Sequence, residues 1–146
     1  ITQAVARLLA ERLSLAGATV EVLAEKDARL AGYRADAFIS IHADSCIDLH
    51  GYKAARSDRS TQPLLEDKYL SCLYREYGQK SGLPQHLNSI SHDMTQYYAF
   101  HQIDPTTPAV ILELGFIGGD RQVLTTQQER LAWGISEAII CFLDGS

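Results

Sequence analysis

The chain is poor in cysteine. Its three cysteines, Cys46, Cys72 and Cys141, are scattered through 146 residues and form no CxxC pair. That excludes a small disulfide-framework domain and the paired-thiol zinc sites which such spacing signals. One disulfide beside a free thiol and three unpaired thiols both fit this spacing, and the sequence favours three unpaired thiols. Positive charge is also scarce: 13 Lys and Arg stand against 18 Asp and Glu, for a formal net charge of −5. Without a basic stripe, a grip on nucleic acid or on an anionic membrane surface is not expected. No apolar run approaches the roughly 20 residues that cross a bilayer. Repeats, low-complexity tracts and flexible linkers are missing too, so the length implies one domain. What is present is an ordinary globular composition, 46% hydrophobic and 21% charged, enough for one sizeable core.

Periodicity divides the chain into alternating helices and strands. Val5, Leu8, Leu9 and Leu13 recur at helical spacing, with Gly17 placed as a helix stop. The β-branched run Ala18–Leu23 then reads as a strand. Ala37–Ile41 is almost wholly apolar and reads as a strand covered on both faces. Residues 51–55 read as a third, more exposed strand, and residues 65–80 as a helix with Leu70, Leu73, Tyr74 and Tyr77 on one face. Residues 83–108 carry no clean period, as functional loops often do not. Val110–Leu114 is another buried strand candidate, and residues 127–142 form a final amphipathic helix. This order predicts an α/β fold, a three-layer α/β/α arrangement around a mostly parallel sheet.

Two of these strands end alike. Phe38-Ile39-Ser40-Ile41 delivers His42, and Val110-Ile111-Leu112 delivers Glu113. Ligands of open α/β sheets bind beyond the carboxyl ends of the strands, which points both side chains at one crevice. A carboxylate behind three aliphatic residues is costly to bury unpartnered, and a metal ion or a water to be deprotonated would be its partner. The plainer readings stand beside this one: a structural or exposed histidine, and a glutamate serving as cap or ion pair. Asp44 reads either as a turn residue or as a carboxylate that orients His42.

Ser40-Ile41-His42-Ala43-Asp44 and Pro108–Phe116 resemble two signature stretches of zinc-dependent N-acetylmuramoyl-L-alanine amidases, the amidase-3 type of bacterial cell-wall hydrolase. Asp27, the helix order and Leu124 also match the family's order. The resemblance implies a zinc-exopeptidase/amidase-like fold and hydrolysis of the bond between N-acetylmuramic acid and L-alanine in peptidoglycan. It implies Zn2+ as cofactor, His42 as a zinc ligand and Glu113 as the catalytic base. Zinc held by three protein ligands activates a water in the fourth position. The family's other two ligands lie in a Gly-His-Gly stretch and a Glu ahead of its first helix. The expectation is therefore one catalytic domain over residues 1–146 that lacks its first strand and those two ligands, the chain being a piece of a longer protein. Gly118-Gly119-Asp120 replaces the family's usual Asn-bearing stretch, which bears on the rim of the cleft.

The resemblance also implies a peptidoglycan or muropeptide substrate and a cell-envelope location, periplasmic or extracellular. His101, beside Tyr97, Tyr98 and Phe100, is a candidate substrate-binding residue, since aromatic faces suit sugar rings. His86 and His92 share that irregular stretch, while His50 reads as surface and Lys68, Arg75 and Lys80 as a solvated helix face. Two alternatives remain. A zinc carboxypeptidase-like exopeptidase would need an arginine to clamp the substrate carboxylate, and a degenerate, non-catalytic wall-binding domain would hold no metal.

Overall fold

A computed structural model describes residues 1–145. Three long helices form one layer. In α1 (Thr2–Leu15), Val5, Leu9 and Leu13 fall four residues apart and are all buried, the stripe that a 3.6-residue period turns toward a core. In α2 (Pro63–Ser81), Tyr69, Leu73 and Tyr77 do the same. Pro63 opens this helix and Gly82, at φ 70°, closes it in the left-handed conformation that glycine adopts without a Cβ clash.

The sheet has three strands: β1 (Phe38–Asp44), β2 (Lys53–Ala55) and β3 (Ala109–Phe116), in the order β1-β3-β2. β3 is central, parallel to β1 and antiparallel to β2. The short α3 (His92–Thr95) precedes β3; α4 (Arg121–Thr126) and α5 (Gln128–Asp144) follow it. Alternation along β3 sorts its side chains. Val110, Leu112 and Leu114 join the helical core, with Leu131, Ile135 and Ala138 of α5. Each fully buried leucine or isoleucine there contributes about 1.5–3 kcal/mol. On the opposite face Ile111 packs with Ala55 and Met94, and Ala109 with Leu30 and Ile103. The second covering layer is thus built from short turns and α3, and the mixed α/β class read from the sequence holds.

Several expectations change. Ala18–Leu23 is not a strand, and most of it is exposed: β-branched residues make a strand only where another strand pairs with them, and none of the described residues does so here. β1 was expected to be covered on both faces. All seven of its residues are instead only half-buried, because β3 alone pairs with it. β2 was expected to be the more exposed strand and is fully buried, Lys53 included, since the 82–90 segment and α2 lie over it. The cysteines also depart from expectation. Cys72 of α2 and Cys141 of α5 form a disulfide, leaving Cys46 free and exposed. Lys80 is not simply solvated, because its ammonium stacks 4.4 Å from the Trp133 ring centroid.

Candidate active site at the carboxyl end of the sheet

Strand register assembles the site. His42 of β1 is the direct partner of Glu113 in β3, and Lys53 of β2 is the partner of the same Glu113 from the other side. Residues in register project from the same face. A row His42–Glu113–Lys53 therefore crosses the sheet, on the face turned away from the long helices. β1 and β3 both reach this row at their carboxyl ends, and β2, running the other way, begins there. The convergence of His42 and Glu113 expected from the two strand ends is present. Lys53 is the member that sequence reasoning missed; its only signal was a lysine opening an otherwise apolar strand.

Glu113 is the most perturbed group in the row. Its carboxyl pKa is pushed up to about 7, first by burial and then by the nearby charge of Asp44, with Lys53 opposing. Its Oε2 is buried with no hydrogen-bond partner among the described residues. A native buried oxygen without a partner is uncommon and needs a reason. At neutral pH such a carboxyl is divided between its acid and base forms, the condition under which proton transfer in both directions is efficient.

His42 is half-buried, and burial holds its imidazole below the usual histidine range against the opposing charge of Glu25. Nε2 shares a 3.0 Å hydrogen bond with Ser40 Oγ, two residues back on the same face. The Tyr97 ring stands edge-on to His42 with centroids 5.0 Å apart. Tyr97 is thus the aromatic of the irregular stretch that reaches the site. His42 and Tyr97 line an open groove of about 1970 Å3 bounded by α1, residues 17–25 and β1.

The other sequence candidates lie elsewhere. Asp44 makes no hydrogen bond or ion pair with His42. Its Oδ1 accepts from the Ser45 amide at 2.7 Å and its Oδ2 lies 2.7 Å from Lys53 Nζ. His101 is exposed and lines a separate hollow of about 180 Å3 with Arg59, Glu66 and Asp104. That hollow shares no lining residue with the His42 groove. His86 is half-buried against Phe116 and bonds Ser89 Oγ through Nδ1 at 2.6 Å. His92 is exposed. His50 is a surface residue as expected, although its Nδ1 meets the buried Asp120 at 3.0 Å.

Three protein donors are the usual minimum for a catalytic zinc. Among the described residues no group of three His, Cys, Asp or Glu side chains converges to hold a metal ion. His42 is one well-suited donor, and the described residues do not complete a zinc site around it.

Neither the protein-family models nor the curated proteins contain a match to this chain. Solved structures do. The catalytic domain of CwlV, an N-acetylmuramoyl-L-alanine amidase from Bacillus (Paenibacillus) polymyxa var. colistinus, superposes with a TM-score of 0.68 at 20% identity, covering 98% of this chain and 83% of that one. An N-acetylmuramoyl-L-alanine amidase from Clostridium difficile 630 gives 0.72 at 18% identity, covering 98% and 82%. The N-acetylmuramyl-L-alanine amidase Ami1 from Mycobacterium smegmatis gives 0.70 at 17% identity, covering 99% and 76%. The chain has the fold of these catalytic domains.

Proposed function

We propose that this chain hydrolyses the amide bond between N-acetylmuramic acid and L-alanine in peptidoglycan, with Glu113 as general base and His42 as a zinc ligand. The observation that carries the reading is Glu113 itself: a half-buried carboxyl with one buried, unpartnered oxygen and a pKa pushed up to about 7, directly across the sheet from a histidine. The amidases that share the fold support the choice of bond.

Glu113 takes a proton from a water, and the water oxygen adds to the lactyl carbonyl carbon. The carbon–nitrogen bond then breaks as the same proton passes to the departing alanine nitrogen. The products are a lactyl carboxylic acid and a peptide with a free amino terminus. Neutral His42 keeps a nitrogen lone pair available at physiological pH, the form that binds a metal. When bound, zinc supplies Lewis acidity and lowers the pKa of its water. The described residues bring no second and third donor to His42, so no step above is routed through the metal. On this reading residues 1–146 are a single catalytic domain. The Cys72–Cys141 disulfide supports a cell-envelope setting, since such bonds persist in oxidising compartments. No helix of the described residues is long and apolar enough to cross a membrane.

The test is the appearance of new amino-terminal L-alanine when the protein is incubated with muropeptides. Glu113→Gln should lower the rate by about 100-fold or more, the share of a positioned general base. A fully active Glu113→Gln protein overturns the base assignment, and a fully active His42→Ala protein overturns the ligand assignment. A wild-type protein that cleaves no muropeptide removes the reaction itself.

A further inference from the structure

Lys53 is 5% exposed, and buried lysines require partners. Its ammonium donates to Ser89 O at 2.7 Å and to Ser89 Oγ at 2.8 Å. The third neighbour is Asp44 Oδ2 at 2.7 Å, an ion pair made by proximity and charge without an aligned hydrogen bond. An ammonium has three donors and no more. Lys53 is nevertheless the direct strand partner of Glu113, and directly opposed residues have Cβ atoms only about 5 Å apart. A four-carbon stem spans that distance with ease. The buried cation paired in register with Glu113 is therefore committed to other acceptors among the described residues, and Asp44 reaches it across the sheet, from β1 to β2.

We propose that Asp44 is a positioning residue that holds the Lys53 ammonium away from Glu113, keeping the Glu113 carboxylate free to receive a proton from water. Asp44 acts through Lys53 and touches no substrate. Its placement serves the purpose. A carboxylate on β3 would compete with Glu113 for the same space, whereas Asp44, the register partner of Phe116, draws the ammonium past Glu113 toward the carboxyl end of β3, where it lies 5.4 Å from the Phe116 ring centroid. Ser89 accepts two of the ammonium's hydrogen bonds, and the His86 Nδ1 bond to Ser89 Oγ holds that hydroxyl in turn. Removing the Asp44 charge leaves Glu113, the register partner of Lys53, as the neighbouring carboxylate, and the ammonium moves onto it. A carboxylate whose lone pairs are occupied by a cation is no longer an open acceptor.

This inference rests on Glu113 being the base, and its signature is a rescue that simple structural damage does not give. Asp44→Ala should lower kcat on the order of 10-fold, part of what a general base contributes, with KM little changed. Adding Lys53→Met, which keeps the stem and deletes the charge, should recover most of that loss. Circular dichroism and thermal melts confirm that both variants fold. A double variant no more active than Asp44→Ala overturns the proposal. The crystal structure of Asp44→Ala tests the same point without an activity assay: Lys53 Nζ should lie within hydrogen-bond distance of a Glu113 carboxylate oxygen. An ammonium that stays on Ser89 alone overturns the proposal, whatever reaction the site performs. Absence of muropeptide cleavage by the wild-type protein bears only on the choice of reaction.

Discussion

Cys72 in the middle of α2 is bonded to Cys141 near the end of α5, which closes a loop across 69 residues of sequence. Both helices lie on the same side of the sheet, and Gly134 lets their backbones come close. A Cβ at Gly134 would meet Lys80 Cβ at 3.0 Å and Tyr77 Cα at 3.1 Å. The bond therefore fastens two helices that already pack tightly, and its main effect falls on the unfolded chain.

Reducing this bond should cost about 4 kcal/mol, the chain-entropy value for a loop of this length. Urea melts of the oxidised protein, the reduced protein and the Cys72→Ala/Cys141→Ala double variant measure it. Equal midpoints for all three would show that the bond does not form in solution.

Gly134→Val should destabilise the protein by about 1–3 kcal/mol, the cost of forcing extra atoms into a packed helix crossing. Because α2 and α5 would be pushed apart, reduction of the disulfide should change the variant's stability by a different amount from the wild type's. Thermal melts with and without reductant make the comparison, and additive losses would deny the coupling.

Glu113 makes stability depend on pH in a stated direction. Its folded pKa is about 7 against an ordinary value of 4.5, so the unfolded chain releases this proton at lower pH than the native one. The contribution is fully present below pH 4.5 and is lost as pH rises through 7. Glu113→Gln removes the titration. The variant should gain on the wild type by an amount on the order of 2 kcal/mol between those limits, allowing for the solvent that still reaches the carboxyl. Denaturant melts at pH 4.5 and pH 8 measure the gap, and a gap that does not widen with pH refutes the shift.

Asp120 fastens the loop after β1 to the end of β3. Its Oδ2 accepts from the amides of Gly51 and Phe116, each at 2.9 Å, and its Oδ1 meets His50. Asp120→Ala leaves two buried amides unpaired and should cost about 2–4 kcal/mol. His50→Ala, which removes only an exposed partner, should cost less than about 1 kcal/mol. Equal losses in urea melts would mean that the imidazole, and not the amides, makes the anchor worthwhile.

Much of this was legible in the sequence for identifiable reasons. The long helices announced themselves because Val5, Leu9 and Leu13, or Leu70, Leu73, Tyr74 and Tyr77, follow a local period that needs no knowledge of neighbours, although Tyr69 was not read as part of the buried stripe of the second helix. The pairing of His42 with Glu113 was legible because both close apolar runs, and parallel strands bring like ends together. What failed was whatever depended on another segment. Ala18–Leu23 has strand composition and no strand beside it. The strand that carries Lys53 read as the more exposed one because Ser89, which makes the burial of that lysine tolerable, comes from a separate segment of the chain. Cys72 and Cys141, 69 positions apart, carried no pairing signal. The aromatic cluster around His101 pointed to the right stretch but the wrong member, since Tyr97 reaches His42 and His101 faces another hollow.

The two central site residues are not equally secure. Glu113 sits on a strand bonded along both edges, while the strand that carries His42 is laced to the rest of the sheet on a single side. Local fraying of β1 would carry the imidazole off while the carboxyl stayed in place, so amide protons flanking His42 should exchange with deuterium well before those flanking Glu113. The imidazole is thus the part of the site most exposed to thermal breathing, and whatever steadies that outer strand governs how long the pair remains assembled.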